Sequence, residues 1–330
     1  MAKKKKGKIA IPYLITLFIS LIFIGGGAWF IFNYFELGKD DEIPELVGRD
    51  TVEITYEDSH TVLMVIDDPE AASPLTFALM RSVPKDKDLL FVGIPANTVE
   101  VYNGKQTSIS EVYGRGGAQE AANFAEQLLD IDIRRYITFN CDTFAEFCDI
   151  FGGVSYETGV KIPGLGNPDK KQQLIGSQIA RFLTFSEYPD GEMQRAFNVG
   201  SVLASIVNQS DYQRIADNFE LYFNTIVNMV DTNITAVDYK KYSDAIVYMF
   251  EKGTGIAKYS YMTGETAGDV FVADFDFRES LIEDWFSQSD DEPEETTAAS
   301  EDEKTDDEET EAEETEADEK NSEEKTEKEE

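Results

Sequence analysis

The sequence predicts an α/β domain, with a central mixed sheet flanked by helices on both faces, between one transmembrane helix and a disordered acidic tail. Three observations lead to this prediction. Residues 9–35 carry no charge, residues 61–288 alternate strand-like with helix-like segments, and residues 289–330 contain no aromatic residue and no Val, Ile, Leu or Met. Strands that alternate with helices place helices on both faces of a sheet. The 330-residue chain has a formal net charge of −36, which is unevenly spread.

The N-terminus has the pattern of an uncleaved membrane anchor. The apolar stretch Ile9–Phe32 contains no charged residue, and as a helix it is about 36 Å long, enough to span a hydrocarbon core of about 30 Å. The alternative is a cleaved secretory signal, whose apolar stretch is shorter. The lysines of residues 1–8 predict a cytoplasmic stub, so that residues 36–60 become an extracellular linker. We therefore expect a single-pass protein of the cell membrane, with its C-terminal domain outside the cell.

The C-terminal tail, residues 289–330, is predicted to be disordered. Residues 290–330 contain 23 acidic residues and 4 lysines, a net charge of −19. Such a segment cannot bury enough apolar area to offset the entropy lost on ordering. We interpret it as a solvated tail. Two alternatives stay open: that it binds cations or a partner at the cell wall, and that it carries a structural or signalling function.

The folded region, residues 61–288, is long enough for one domain. Apolar and β-branched runs predict strands at 61–66, 76–81, 89–94, 136–139, 256–262 and 270–273. Helical spacing predicts helices at 118–129, 143–151, 176–183, 192–208, 210–229, 237–250 and 278–286. Asp142 is the predicted N-cap of the second helix, which ends at Gly152. We interpret its apolar stripe (Phe144, Phe147, Ile150) as core rather than as the wall of a ligand pocket.

Composition argues against several classes of function. The acidic excess argues against a nucleic-acid partner, since phosphate backbones are bound by clustered cations. His60 is the only histidine, which argues against a histidine-based triad or a histidine-rich zinc site. Cys141 and Cys148 would be about 10 Å apart along a helix, beyond the reach of a disulfide. We interpret both as thiols in or near the core.

Several strings in the folded region resemble the LytR-CpsA-Psr family of bacterial envelope proteins, whose members also have a basic N-terminus and one membrane anchor. VLMVIDD resembles the family's first strand, which ends at an aspartate, here Asp67. The other strings that carry the resemblance, in order, are DLLFVGIPANT (88–98), SISEVYGRGG (108–117), DTFAEFCDIFGGV (142–154), LIGSQIARFLTFSE (174–187) and GEMQRAF (191–197). Their order and spacing together identify the chain as a divergent member of this family.

The resemblance implies an extracellular phosphotransferase fold. Family members move a glycopolymer from a polyprenyl-pyrophosphate carrier to peptidoglycan, with the lipid tail in an apolar pocket and with arginines and Mg²⁺ on the pyrophosphate. That chemistry needs concentrated positive charge, because phosphoryl transfer relies on positioning and on neutralising phosphate oxygens.

The sequence departs from the family where that charge is expected. Positions that hold arginine or aspartate in the family are occupied by Ser73, Leu75, Ala96, Asn97, Thr184, Ser186 and Glu192. Four arginines are lost and a fifth position is acidic. Each arginine–phosphate hydrogen bond contributes about 1.5–3 kcal/mol, so their loss predicts that most of the catalysis is lost as well.

A few residues could still hold an anion or a metal. Arg195 is the arginine that the family motif retains, Arg115 lies in the glycine-rich stretch, and Arg181 lies one helical turn before the lost pair. Asp67 is a candidate metal ligand without the help of Asp68, which should point to the opposite face of the strand. Three further arginines (Arg81, Arg134, Arg135) are expected to face elsewhere.

Two functions follow as hypotheses. The first is a degenerate, non-catalytic module that binds cell-wall glycopolymer, polyprenyl-phosphate carrier or an envelope protein, without a required cofactor. The second is an active but diverged phosphotransferase that uses Arg115, Arg195 and Asp67, and Mg²⁺ would be needed only in this case.

Overall fold

The computed structural model describes residues 53–68 and 75–290, and within this part of the chain it contains a mixed six-stranded sheet between two layers of helices. The predicted membrane span and the predicted tail beyond Asp290 lie outside the described residues. Within the described residues, no helix is both long and apolar enough to cross a membrane.

The strands, in chain order, are β1 His60–Ile66, β2 Thr76–Val83, β3 Asp88–Ile94, β4 Val99–Tyr102, β5 Lys105–Ser108, β6 Arg135–Phe139, β7 Val154–Tyr156, β8 Gln172–Leu174, β9 Asp231–Thr232, β10 Ala257–Tyr261, β11 Gly264–Ala267 and β12 Val270–Ala273. The helices are α1 Ile109–Leu129, α2 Cys141–Phe151, α3 Gly176–Leu183, α4 Gly191–Gln209, α5 Tyr212–Asp217, α6 Phe219–Met229, α7 Ala236–Phe250 and α8 Phe275–Trp285. Short 3₁₀ turns occupy Tyr56–Asp58 and Pro84–Asp86.

The strand order in the large sheet is β10-β3-β2-β1-β6-β9. Strand β1 is antiparallel to β2 and parallel to β6, while β3 is antiparallel to β2 and parallel to β10. The predicted mixed sheet is therefore confirmed. Three two-stranded sheets accompany it, β4 with β5, β7 with β8, and β11 with β12. Of the six short strands in these sheets, β12 was predicted. The other five were missed, because three or four residues are too few to show an alternation of apolar and polar side chains.

The sheet is buried on both faces. In β1, Val62, Met64 and Ile66 pack into a core with α2, α3, α4, α5 and α7. Leu63 and Val65, which point the other way, pack into a second core with α1 and α8. This explains why β1 is a continuous apolar run, and it confirms the prediction of helices on both faces.

Helix α4 lies unusually close to β3. A Cβ added to Gly93 would lie 1.8 Å from the carbonyl oxygen of Ala196. Only glycine at position 93 permits this approach, which brings the N-terminal turn of α4 against the segment that follows β3.

Several predicted helix boundaries differ from the structure because of local side-chain contacts. The predicted helix over 118–129 is confirmed as the second part of α1, after a kink at Gly117. A first part, beginning at Ile109, was missed; Ser108 caps it by accepting a hydrogen bond from the N–H of Glu111. Asn140, and not Asp142, caps α2. The predicted helix over 210–229 is divided at Asn218, whose Nδ2 donates to the carbonyl oxygen of Arg214 at 2.9 Å and competes with the helical backbone.

Candidate functional site

The carboxylates that follow β1 are held by two different helices. The phenol of Tyr113 on α1 donates to Oδ2 of Asp67 at 2.8 Å, and the N–H of Cys141 at the start of α2 donates to Oδ2 of Asp68 at 3.2 Å. Burial and the Asp67 carboxylate raise the pKa of Tyr113 well above its ordinary value, so the phenol remains a donor at neutral pH. Asp67 and Asp68 thus bond to different helices.

Around Asp67, the described residues supply few further ligands for a magnesium ion. No three His, Cys, Asp or Glu side chains come together as a metal-binding group within residues 53–68 and 75–290. Asp67 brings one carboxylate, which accepts the Tyr113 hydrogen bond, and Leu75 and Asn97 stand where the family resemblance implies carboxylates. Cys141 and Cys148 are not joined by a disulfide, and burial raises the pKa of Cys148.

Arg195 is buried and its hydrogen-bond donors are used inside the protein. It lies in the first turns of α4 and is 3% exposed. One terminal nitrogen donates to the carbonyl oxygens of Leu183 at 3.0 Å and Phe185 at 2.7 Å. The other terminal nitrogen and Nε both contact the carboxylate of Glu192, at 3.2 Å in each case. The guanidinium is therefore neutralised by a neighbouring carboxylate and does not face solvent.

Arg195 and Glu192 connect three parts of the fold. The carbonyl oxygen of Leu183, at the end of α3, also accepts a hydrogen bond from Thr76 Oγ1 at the start of β2. Glu192 Oε2 accepts a hydrogen bond from the N–H of Ala96, just after β3, at 3.4 Å. The acidic residue at a family arginine position thus pairs with the one arginine that the motif retains.

The residues at the other substituted positions place no charged group beside Arg195 and Glu192. Thr184 Oγ1 donates to the carbonyl oxygen of Ala180 within α3, and Ser186 is exposed. Asn97 Nδ2 donates to the carbonyl oxygen of Asp269 at 3.0 Å. Leu75 packs against the core on the α1 side. Ser73 lies outside the described residues.

The two other candidate arginines do not join Arg195. Arg115 is exposed on α1, where it donates to Thr107 Oγ1 at 2.7 Å and to the carbonyl oxygen of Glu111. Arg181 is exposed on α3 and donates to the carbonyl oxygen of Pro163 at 3.2 Å. Each arginine thus contacts its own local segment.

A cavity of about 640 Å³ lies between the sheet and the helices α2, α4, α6 and α7. Its apolar lining is rich in aromatic rings, including Phe91, Phe147, Phe151, Phe219, Phe223 and Phe250. Phe147 was assigned to the core from the sequence, and it does pack against the core, but it also forms part of this wall. The lining comes from residues that are far apart in the sequence, and the i, i+4 pair Phe219 and Phe223 was the one local signal for it.

The charged residues of the cavity lining all lie at one end of the strands of the large sheet. We call this end the mouth edge and define it by His60 at the start of β1, Ser82 near the end of β2 and Leu89 near the start of β3. The cations there are Arg81, Arg134, Arg135 and Lys241, and the acids are Glu57, Asp132 and Asp238. Arg135 donates to Asp238 at 2.7 Å, and Arg134 pairs with Asp132 at 2.7 Å. Arg81, Arg134 and Arg135 thus face away from Asp67, but sequence reasoning missed that they surround the mouth of a cavity.

Comparison with known proteins agrees with this architecture. Residues 46–258 match the LytR_cpsA_psr family. TagU of Bacillus subtilis strain 168, named a polyisoprenyl-teichoic acid–peptidoglycan teichoic acid transferase, is 25% identical over 289 residues, which is 80% of this chain and 94% of that protein. The protein of the same name from Bacillus licheniformis is 24% identical over 275 residues, 77% of this chain and 90% of its own length.

Solved structures share the fold. A protein from Eubacterium siraeum described as a transcription regulator superposes with a TM-score of 0.62 at 20% identity, over 72% of this chain and 95% of its own. TagT bound to LIIa-WTA superposes with a TM-score of 0.53 at 16% identity, over 69% of this chain and 90% of its own. The profile match covers well over half of the sequence, and the chain therefore belongs to the LytR_cpsA_psr family.

Proposed function

We propose that this chain is a membrane-anchored, extracellular protein of the bacterial envelope that binds a polyprenyl-linked cell-wall polymer but does not transfer it. Residues 9–35 anchor it, and the α/β domain faces outward. The family membership supports a function that involves a cell-wall polymer. The names of the TagU relatives and the TagT structure with LIIa-WTA support a teichoic acid-like ligand.

The state of Arg195 carries this proposal. Phosphoryl transfer requires cations that contact the phosphate oxygens. Arg195 is 3% exposed, and its guanidinium contacts Glu192 and two backbone carbonyls. To contact a pyrophosphate it would have to leave a buried ion pair, and the unpaired groups left behind would cost several kcal/mol, roughly 3–5.

The apolar cavity supports retained binding. Ligand sites in proteins usually measure about 300–1,000 Å³ and are lined mainly by apolar and aromatic side chains. The cavity of about 640 Å³ has this size and this kind of lining. Binding of a lipid chain in this cavity would be stabilised by the hydrophobic effect, which does not depend on charged side chains near Arg195.

The alternative is an active, diverged phosphotransferase, and the transferase names of the relatives at 24–25% identity favour it. In that case Asp67 would hold Mg²⁺, and Arg115 with Arg195 would contact the phosphates. This alternative requires a rearrangement that brings two arginines on different helices, one exposed and one buried, to a common ligand.

A transfer assay separates the two. The full chain is reconstituted in vesicles with a polyprenyl-pyrophosphate-linked glycan and peptidoglycan, beside TagU of Bacillus subtilis as the active control. We expect binding of the lipid-linked glycan to the full chain and no transfer above the protein-free background. Turnover comparable to that of TagU would contradict the proposal. If the Arg115→Ala variant then lost this turnover, the alternative would be favoured, because Arg115 is exposed and its substitution should leave the domain folded.

A further inference from the structure

Strand β10 (Ala257–Tyr261) forms an open side of the large sheet. It stands at one end of the strand order, and within the described residues no strand pairs with its outer side. The strand at the other end, β9, has only two residues. An exposed strand edge offers backbone N–H and C=O groups to a further strand, and natural proteins usually block such edges with charges, prolines or covering loops.

The backbone groups of β10 alternate between β3 and the outer side. The carbonyl oxygen of Ile256 accepts from the N–H of Leu89 at 2.8 Å, and the N–H of Met262 donates to the carbonyl oxygen of Gly93 at 2.9 Å. Even-numbered residues of this segment therefore bond to β3. Odd-numbered residues turn their N–H and C=O groups outward.

A side chain satisfies the first of the outward positions. Asn208 Nδ2 donates to the carbonyl oxygen of Ala257 at 2.8 Å, and Asn208 Oδ1 accepts from its N–H at 2.9 Å. The amide of Asn208 thus takes the place of a neighbouring strand at Ala257. No described residue does the same at Tyr259 or Tyr261, so their backbone groups remain open to a further strand.

Aromatic rings stand beside these two open positions. Tyr259 is 48% exposed, and Phe197 of α4 is 37% exposed. The ring centroid of Phe197 lies 5.8 Å from that of Tyr259 and 5.5 Å from that of Tyr261. Exposed apolar clusters on a protein surface mark interaction sites. The open edge therefore combines unpaired backbone groups with an aromatic surface on the α4 side of the sheet.

The one charge on β10 does not block this edge. Lys258 points to the opposite face from Tyr259, because side chains alternate along a strand. Its ammonium group pairs with Asp88 at 2.6 Å and lies 5.2 Å from the centroid of the Trp285 ring. The charge is thus neutralised within the same copy.

The open edge is complementary to itself. When two copies of β10 run antiparallel with Ser260 opposite Ser260 of the second copy, Tyr259 of each copy lies opposite Tyr261 of the other. Each of these pairs then exchanges two hydrogen bonds through its outward N–H and C=O groups. The aromatic rings of both copies meet on the same face, and cross-strand aromatic pairs stabilise a sheet. Lys258 lies about 13 Å from its equivalent, so like charges do not meet.

We propose that this edge is the interface of a homodimer, in which the β10 strands of two copies pair antiparallel about Ser260. The two six-stranded sheets become one continuous sheet, and each copy uses the same surface, as in most homodimers. The pairing does not depend on the polymer binding proposed above. The anchor proposed for residues 9–35 would favour it, because copies confined to one bilayer are concentrated.

Cysteine crosslinking of the full chain tests the interface and its register. In the dimer, Ser260 and its equivalent form a non-hydrogen-bonded pair with Cα atoms about 4.5 Å apart, within reach of a disulfide. Lys258 lies on the same strand and the same face, but at about 13 Å from its equivalent it is out of reach. The Ser260→Cys and Lys258→Cys variants are therefore a matched pair.

Both variants are reconstituted in phosphatidylcholine vesicles and oxidised with copper phenanthroline, and disulfide-linked dimers are measured on non-reducing gels. The parent chain, with Cys141 and Cys148, gives the background. We expect Ser260→Cys to crosslink at least tenfold faster than Lys258→Cys. Equal rates, or faster crosslinking of Lys258→Cys, would overturn the proposed dimer.

Two substitutions of Tyr261, each in the Ser260→Cys background, test the backbone pairing. Tyr261→Pro removes an outward N–H but no bond to β3, a position where edge strands tolerate proline, and should slow crosslinking at least fivefold. Tyr261→Phe keeps the N–H and the ring and should crosslink as fast as Ser260→Cys alone. Circular dichroism of both variants checks that they fold. If the proline variant crosslinked as fast as the phenylalanine variant, strand pairing would not be the contact between the copies.

Discussion

At the scale of the residue, the role of Arg195 is decided by what surrounds it. Its donors face Leu183, Phe185 and Glu192 in a buried environment. We expect Arg195→Met to lower the free energy of unfolding by about 3–5 kcal/mol, because it leaves a carboxylate and two carbonyls without their partner. Urea denaturation of the full chain, followed by circular dichroism, measures the change.

Arg181→Met is the matched control for that experiment. Arg181 is exposed on α3 and donates one hydrogen bond, to Pro163, so its loss should change the free energy of unfolding by less than about 1 kcal/mol. Equal effects of the two substitutions would show that Arg195 is not the structural residue described above.

Tyr188 gives a prediction for alkaline pH. Its phenol donates to the carbonyl oxygen of Phe182, and burial raises the pKa of Tyr188 well above its ordinary value of 10.0. Above pH 10 the unfolded chain releases this proton while the folded chain keeps it, so stability falls as pH rises. We expect Tyr188→Phe to make that fall less steep, by at most one proton or about 1.4 kcal/mol per pH unit. Urea midpoints between pH 9 and pH 11.5 measure the slope, and an unchanged slope would contradict this account.

At the scale of the element, the strands and most helices could be predicted because their signals are local. Strand β1 is an apolar run, and α7 has helical spacing between a threonine cap and its C-terminal end. The glycine pair at 116–117 predicted a helix start at residue 118, and α1 does kink there. The helical segment before the kink, which begins at the Ser108 cap, was missed because it contains three glycines. For the candidate site, the sequence could predict which positions differ from the family but not what their side chains contact. Arg195 is bonded to the carbonyl oxygens of Leu183 and Phe185, and only the fold brings these beside it.

The kink of α1 leads to an element-scale prediction. Gly117 has φ +71° and ψ −165°, a conformation that costs a side-chain-bearing residue about 1–3 kcal/mol. Gly117→Ala should therefore lower the thermal midpoint of the full chain, although no atom would clash with the new methyl group. Gly114→Ala, in the same helix, also meets open space but has no positive φ, so it should raise stability by about 0.4–1 kcal/mol. Calorimetry on the two variants should give shifts of opposite sign, and two shifts of the same sign would exclude the kink as the cause.

At the scale of the whole molecule, the two layers of helices differ in what they enclose. The core on the α1 side is packed by apolar side chains. On the other side, α6 and α7 cover a cavity whose charged lining residues lie at the mouth edge. The fold thus has an apolar cavity at one end of the sheet and a neutralised arginine at the other. If the apolar side chains around the cavity served stability alone, we would expect them to fill this space.

Filling the cavity should therefore separate binding from stability. Val207 and Val202 both lie buried on α4, but of the two only Val207 lines the cavity. Val207→Phe adds apolar area where there is room, so it should leave the free energy of unfolding unchanged or raise it by up to about 1 kcal/mol, while weakening the binding of farnesyl phosphate at least tenfold. Val202→Phe enlarges a side chain that is already fully packed, and should lower the free energy of unfolding by about 1–3 kcal/mol with little effect on ligand affinity. Urea denaturation and calorimetric titration of both variants measure the two quantities. If Val207→Phe bound the ligand as tightly as the parent does, the cavity would not be its binding site.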